Sequence, residues 1–158
     1  MNTASSLLST LVTDGPPLAG GPRPTILPLR HDEGLVTVSG QTAVGSDGSL
    51  RHTGSVGDGA LSLAQARDCA WQCALNVLAV LQRELGSLDR IVQVDRITVY
   101  VASVPGFTDQ HLVADAATEA FLRVLGERGA HARTALGVAE LPTGSPTEVD
   151  AIVRVQPA

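Results

Sequence analysis

Arginine is the only basic residue type in this chain of 158 amino acids: 11 residues are basic, and none of them is lysine. The chain therefore cannot form a lysine Schiff base, hold pyridoxal phosphate covalently, or supply the lysine of a phosphate-binding loop. A guanidinium is permanently charged, and its planar fork of donors matches the shape of a carboxylate.

The cysteine and histidine side chains give weaker signals. Cys69 and Cys73 lie four residues apart in a helical segment, where packing is a more common role than metal binding because no third ligand is near. His131 stands two residues before Arg133, and we interpret it as a structural residue or a support for another side chain. The sequence contains no catalytic triad, zinc signature, dinucleotide fingerprint or phosphate loop.

Composition and charge narrow the class of protein. Hydrophobic residues make up 44% and charged residues 17%, as in a globular domain. The net charge of −5 disfavours nucleic-acid binding, which usually requires a basic surface. The apolar runs are shorter than the ~20 residues of a membrane span, and no targeting segment is evident. Because there are only two cysteines and no disulfide framework, we expect a cytoplasmic protein, and the short apolar runs predict no membrane partner.

The elements that must position these side chains are predicted in the order β-β-β-α-β-α-β-β. Strands are predicted over residues 25–30, 35–40, 51–56, 90–101, 134–141 and 147–155, and the second helix over residues 108–125. The first helix begins at Ser62, which forms a capping box with Gln65, and ends at Gly86. This order predicts the α+β class, with two helices on one face of a mixed sheet.

The sequence also predicts how the two ends of the chain are organised. Residues 1–24 are rich in Ser, Thr, Gly and Pro and are predicted to form a flexible N-terminal arm, and residues 25–158 a single domain. Near the other end, the turn residues 142–146 predict that the last two strands form an antiparallel hairpin.

Several short motifs together resemble one family. Near the C-terminus these are Ala132-Arg133, Leu141-Pro142 and Glu148-Val149-Asp150-Ala151-Ile152, and earlier in the chain they are Ser39-Gly40-Gln41, Ala74-Leu75-Asn76-Val77 and Leu88-Asp89-Arg90-Ile91-Val92. With this spacing, over about residues 25–155, the sequence resembles the reactive intermediate deaminase family (RidA, formerly YjgF), also labelled endoribonuclease L-PSP. The longer N-terminal arm resembles a less characterised branch of the family.

The resemblance implies a fold, an activity and an assembly. Family members have a chorismate-mutase-like fold and form homotrimers with sites between subunits. They hydrolyse enamines and imines, such as 2-aminoacrylate and 2-iminoalkanoates, to 2-keto acids and ammonia without a metal or organic cofactor. On this resemblance, Arg133 binds the substrate carboxylate and Glu148 orients or deprotonates water. Ser39 and the Gly40 backbone are expected to hold substrate or water.

The predicted hairpin leads to an expectation about assembly. Glu148 would lie opposite Leu141, eight residues from Arg133 on the same strand, which is roughly 26 Å at ~3.3 Å per residue. One chain could not bring both side chains to one small ligand. The two groups would therefore come from different subunits of a cyclic trimer.

Three positions in the expected substrate pocket depart from the family pattern. Ile26 stands where the family usually has tyrosine, Asp115 where many members have asparagine, and Ala135 where Cys or Ser is common. An anion at Asp115 would repel a carboxylate substrate unless it is protonated or paired.

These departures leave alternatives open. The protein could be a deaminase of simple imino acids, a related enzyme specialised to another substrate, or a ligand-binding trimer without turnover. Ribonuclease activity is disfavoured by the acidic isoelectric point of about 5.2 and the aromatic content of 3%.

Overall fold

The computed structural model describes residues 3–11 and 26–156. These residues form three helices and five strands, in the order α1 (Ala4–Leu11), β1 (Leu29–Asp32), β2 (Leu35–Thr42), α2 (Leu63–Leu85), β3 (Ile91–Ala102), α3 (Gln110–Leu125), β4 (Ala132–Val138) and β5 (Thr147–Val155). Short 3-10 turns follow α2 and α3 and precede β5.

The five strands form one sheet in the order β1-β2-β5-β3-β4. Only the pairing of β3 with β4 is parallel, and the other neighbours are antiparallel. Helices α2 and α3 pack on the same face of this sheet and on each other. The predicted α+β class, with a mixed sheet and two helices on one face, is confirmed.

Helix α2 forms where local signals predict it. The Ser62 hydroxyl accepts a hydrogen bond from the backbone amide of Gln65, and the side-chain oxygen of Gln65 accepts one from the backbone amide of Ser62. Gly86 ends the helix in the left-handed conformation, with φ of 80°, which glycine adopts without steric cost. The buried face of α2 supplies much of the core, in which Leu78, Leu81 and other side chains are fully covered.

The predicted hairpin of the last two strands is wrong. Strand β4 pairs with β3 in parallel, and β5 lies between β2 and β3. Short connections favour hairpins, but alternate residues of β5 (Val149, Ala151 and Val153) are fully buried. The residues between them are mostly half-buried as well, and β5 lies in the centre of the sheet, whereas β4 has mostly exposed residues and takes the edge.

The strand predicted over residues 51–56 does not form either. Only isolated bridges join Val56 to Leu61 and to Ser103. Gly54 and Gly57 have positive φ values of 108° and 136°, a conformation that interrupts extended backbone.

A helix lies within the segment predicted to be a flexible arm. In α1, Ala4 and Leu8 are buried in the hydrophobic core, and the Ser5 hydroxyl accepts a hydrogen bond from the Leu88 amide at 3.1 Å. Residues 4–11 are therefore docked on the domain, and residues 12–24 of the predicted arm lie outside the described residues. Within the described residues, no helix has the length and hydropathy to cross a membrane.

Truncating the buried residue of α1 tests this docking. We expect Leu8→Ala to lower the free energy of unfolding by about 2–3 kcal/mol, because it removes a buried side chain and leaves a cavity. The exposed control Thr10→Ala should change it by less than about 0.5 kcal/mol. Urea unfolding followed by circular dichroism measures both, and equal midpoints for the two variants would show that α1 does not contribute to the core.

Candidate active site in two parts

Strand β4 and helix α3 hold the guanidinium of Arg133. Arg133 pairs with the fully buried Ile97, so its side chain leaves the sheet on the face that carries the helices. Its Nη1 donates to Asp115 Oδ1 at 2.9 Å and to Thr118 Oγ1 at 3.0 Å. Its Nη2 lies 3.4 Å from the carbonyl of His111. Helix α3 thus fixes one side of the guanidinium.

Asp115 is paired in the structure. Its salt bridge to Arg133 joins a side chain that is 43% exposed to one that is 24% exposed. The sequence predicts repulsion of a carboxylate substrate unless this anion is paired, and the pairing offsets part of that repulsion. It also reduces the positive charge that Arg133 presents to a ligand. Ala135 follows on the same side of β4 and is half-buried against the core.

Glu148 lies on the opposite face of the sheet. It pairs with Tyr100 and Thr42 on the neighbouring strands and is half-buried. Burial, and secondly the negative charge of Asp150, raises the pKa of Glu148 above its ordinary value of 4.5. Within the described residues it has no ion-pair partner. A carboxyl group in this environment takes up a proton more readily than a solvent-exposed one, which suits it to accept a proton during a reaction.

Gly40 leaves the space that the carboxylate of Glu148 occupies. A Cβ atom at position 40 would lie 1.9 Å from Glu148 Oε1, much closer than atoms approach without a bond. The residue sits at an irregularity in the pairing of β2 with β5, where the backbone can come close to that side chain.

We expect Gly40→Ala to displace the Glu148 carboxylate and to reduce any activity that depends on it by at least about tenfold, since misplacing a reacting group by about 1 Å can cost up to a hundredfold. Thr37→Ala, at an exposed position on the same strand, should leave activity within about twofold. Steady-state kinetics with a thermal melt to confirm folding measures this. Full activity in a folded Gly40→Ala variant would show that the reaction does not depend on the Glu148 carboxylate.

Ser39 and Ile26 lie at the same end of the sheet as Gly40. The Ser39 hydroxyl donates to the carbonyl of Leu27 at 2.7 Å, and the Ser39 amide donates to the carbonyl of Pro28 at 3.0 Å. The hydroxyl proton is therefore used locally, and the oxygen keeps lone pairs that can accept from a ligand. Ile26 is 61% exposed and apolar, so it offers a contact surface without a hydroxyl.

The predicted site residues consequently form two groups in one chain. Arg133, Asp115 and Ala135 lie on the helix side of the edge strand β4, and Glu148 and Gly40 meet on β5 and β2. In the sheet, Arg133 is two strands from Glu148 and three residues out of register with it, or roughly 10 Å in each direction.

The 26 Å spacing expected from a hairpin is therefore wrong, but the two side chains are still apart. They leave opposite faces of the sheet, because Arg133 is in register with buried Ile97 and Glu148 is in register with Tyr100. A single chain does not bring them to one small ligand.

Sequence reasoning missed several side chains around these groups. Thr118 contacts Arg133 from α3, and the Tyr100 hydroxyl donates to Asp150 at 2.9 Å beside Glu148. The spacing of Asp115 and Thr118, three residues apart on a predicted helix, places them on one face. It could have indicated that they contact the same neighbour, but not that this neighbour is Arg133.

The two cysteines are fully buried. Burial raises the pKa of Cys69 to about 11, and burial likewise raises the pKa of Cys73, whose Sγ lies 3.3 Å from the carbonyl of Thr147. Within residues 3–11 and 26–156, no three His, Cys, Asp or Glu side chains are placed to hold a metal ion. These thiols are neutral packing groups in the core.

The fold and the motifs place the chain in a family. Residues 29–155 match the sequence pattern that defines the endoribonuclease L-PSP family. The chain belongs to this family, which is the RidA/YjgF family that the sequence motifs resemble.

Individual relatives support this membership. Protein TCP17 of Trypanosoma cruzi is 43% identical over 119 residues, which cover 75% of this chain and 73% of that protein. The crystal structure of Atu1372 from Agrobacterium tumefaciens matches with a TM-score of 0.86 and 38% identity, over 97% of this chain and 92% of that chain. The structure of RidA from the Antarctic bacterium Psychrobacter sp. PAMC 21119 shares the fold, with a TM-score of 0.59 and 24% identity over 90% and 94% of the two chains.

Proposed function

We propose that this protein is a hydrolytic deaminase of reactive enamines and imines, which converts 2-aminoacrylate or 2-iminoalkanoates to 2-keto acids and ammonia. The observation that carries the proposal is the guanidinium of Arg133, held at a sheet edge by Asp115 and Thr118 in a chain of the RidA family. Family membership supports a deaminase-like role, and the residues supply groups for each step.

Arg133 is the group proposed to bind the substrate carboxylate. A carboxylate needs two adjacent N–H groups for a bidentate contact. Both Nη1 hydrogens have acceptors on α3, and Nη2 directs one of its two hydrogens to the His111 carbonyl. The pair that remains for a substrate is the Nε hydrogen with the second hydrogen of Nη2. This contact would orient the imine carbon relative to the water that attacks it.

Glu148 is the group proposed to activate water. The imine reacts in its protonated form. The Glu148 carboxylate accepts a proton from water as the water oxygen bonds to the imine carbon, and the π electrons of the C=N bond move to the nitrogen, which gives a neutral carbinolamine. Glu148 then returns this proton to the nitrogen, the C–N bond breaks to release ammonia, and the carbinolamine hydroxyl gives its own proton to Glu148 as the C=O bond forms. Glu148 finally releases that proton to solvent. The raised pKa of Glu148 suits a group that accepts and returns a proton.

We propose that the complete site forms between copies of the chain. Arg133 and Glu148 leave opposite faces of the sheet, so a second copy must supply one of them if both act on one substrate. A cyclic trimer repeats such a contact three times. In this proposal each cleft binds one small carboxylate-bearing substrate, and the reaction uses no nucleic acid, metal or cofactor.

The direct assay generates iminoalkanoates with an amino-acid oxidase and follows ammonia and keto-acid release. Purified protein should accelerate release over buffer for at least one imine. Keto-acid binding by calorimetry without acceleration on any imine would instead identify a ligand-binding protein without turnover.

A second candidate, a related enzyme specialised to a different substrate, is favoured by the salt bridge between Arg133 and Asp115. Asp115 partly neutralises the guanidinium, which weakens attraction for a simple monocarboxylate. A substrate that also carries a positive charge or a donor group toward Asp115 would gain from it.

We expect Asp115→Asn to raise kcat/KM on simple 2-iminoalkanoates by several-fold, because it removes the competing anion and keeps the shape of the side chain. Its control is Asp68→Asn, which alters an exposed salt bridge to Arg51. The oxidase-coupled assay compares both variants with the unmodified protein. A value for Asp115→Asn equal to or below that of the unmodified protein would argue against the specialised-substrate candidate.

A further inference from the structure

Thr118 and His131 lie behind Arg133 and are bonded to one another. Thr118 Oγ1 is 3.1 Å from His131 Nε2 and 3.0 Å from Arg133 Nη1. His131 Nδ1 contacts the carbonyl oxygen of Gly129. The three side chains therefore form a continuous series of hydrogen bonds from the guanidinium to the backbone.

The direction of each bond follows from the chemistry of its atoms. The Gly129 carbonyl only accepts, so His131 Nδ1 carries a hydrogen and donates to it. Burial lowers the pKa of His131 below its ordinary value of 6.5, and in the neutral ring Nε2 is then an acceptor. The Thr118 hydroxyl donates to Nε2, which leaves the lone pairs of Oγ1 to accept from Arg133 Nη1.

The histidine ring is fixed on its other side as well. It packs edge-on against Phe121, with ring centroids 5.6 Å apart and an interplanar angle of 70°, and Phe121 is fully buried. Gly129 lies so close to the backbone of α3 that a Cβ atom would be 2.4 Å from the Phe121 carbonyl oxygen. The Gly129 carbonyl, which accepts from His131 Nδ1, is therefore held in a fixed position.

We propose that Thr118 and His131 are positioning residues that set the orientation of the Arg133 guanidinium. Because His131 Nε2 accepts the hydroxyl hydrogen of Thr118, the lone pairs of Thr118 Oγ1 face Arg133 Nη1 and accept from it. With Asp115 as the second acceptor, Nη1 is held on both of its hydrogens, and the edge formed by Nε and Nη2 is presented to a carboxylate. The consequence for catalysis rests on the proposed function, but the hydrogen-bonded series itself does not.

The test compares Thr118→Val, which keeps the shape and removes the hydroxyl, with Thr118→Ser, which keeps the hydroxyl. The probe is 2-oxobutanoate, whose dissociation constant is measured by calorimetry together with KM and kcat for 2-iminobutanoate. We expect Thr118→Val to raise the dissociation constant and KM about tenfold with kcat within about threefold, and Thr118→Ser to stay within about threefold of the unmodified protein. His131→Phe, which keeps a ring against Phe121 and lacks the acceptor, should resemble Thr118→Val.

A second readout does not depend on activity. Nitrogen NMR of the histidine rings should show His131 with its hydrogen on Nδ1 and a hydrogen bond at Nε2 that Thr118→Val abolishes. Unmodified protein that turns over no imine while this signature is present would refute the proposed function and support the hydrogen-bonded series. The positioning role would be overturned if the unmodified protein is active and both Thr118→Val and His131→Phe bind 2-oxobutanoate as tightly as it does. An NMR signature that places the hydrogen of His131 on Nε2 would overturn it as well.

Discussion

Replacing Arg133 with alanine is expected to lower kcat/KM for 2-iminoalkanoates by roughly a hundredfold. The proposed contact consists of charged hydrogen bonds from the guanidinium to the substrate carboxylate, and losing such bonds costs about 1.5–3 kcal/mol. Each 1.4 kcal/mol corresponds to a tenfold change. The oxidase-coupled assay for keto-acid release measures the effect, and calorimetry should show a parallel loss of 2-oxobutanoate binding.

A second arginine variant separates this effect from a general loss of positive charge. Arg51→Ala removes an exposed side chain that pairs with Asp68, away from the strand that carries Arg133, and should keep activity within about twofold. Arg133→Lys keeps the charge but not the planar fork, and we expect it to restore only part of the activity. Full activity in folded Arg133→Ala would refute carboxylate binding at this position.

Replacing Glu148 with glutamine is expected to lower kcat by roughly a hundred- to ten-thousandfold, the usual contribution of a general base. The substitution keeps the shape of the side chain next to Gly40 and removes its ability to take a proton from water. Because the carboxylate of the substrate binds elsewhere, the dissociation constant for 2-oxobutanoate should change little. Loss of binding with an unchanged kcat would assign Glu148 to ligand binding instead.

The pH profile provides an independent check on Glu148. The base must be ionised, so kcat should fall as the pH drops through a pKa raised above 4.5 by burial and by Asp150. Asp150→Asn removes the second of these causes and should move this acid limb to lower pH. An acid limb that does not move, or that persists in the residual rate of Glu148→Gln, would show that another group controls the reaction.

Signals between residues close in sequence predicted the limits of helix α2, but they did not predict which strands pair with one another. The capping box at Ser62 and the stop at Gly86 act between residues adjacent in sequence, so the limits of α2 are predictable. The partner of β5 depends on which strands can cover Val149 and Ala151 on both sides, and this requires the whole sheet. The short connection before β5 favoured a hairpin, but the observed neighbours of β5 are β2 and β3.

The sequence predicted which residues belong to the candidate site, but it did not predict how their side chains are placed. The resemblance to the family supplied Arg133 and Glu148, and their roles stay predictions. The pairing of Arg133 with Asp115 joins residues 18 positions apart on a strand and a helix, and no spacing rule indicates it. The faces from which Arg133 and Glu148 leave the sheet became known only with the register of β3 against both neighbours.

The proposal that each site takes Arg133 from one copy and Glu148 from the next is tested by mixing two inactive variants. Arg133→Ala and Glu148→Gln chains, co-expressed in equal amounts and shown by sedimentation to form trimers, should recover about one quarter of the activity of the unmodified protein, because one in about four subunit contacts would then contain both intact groups. Recovery to that level supports the shared site. Mixed trimers that stay as inactive as either variant alone would contradict it.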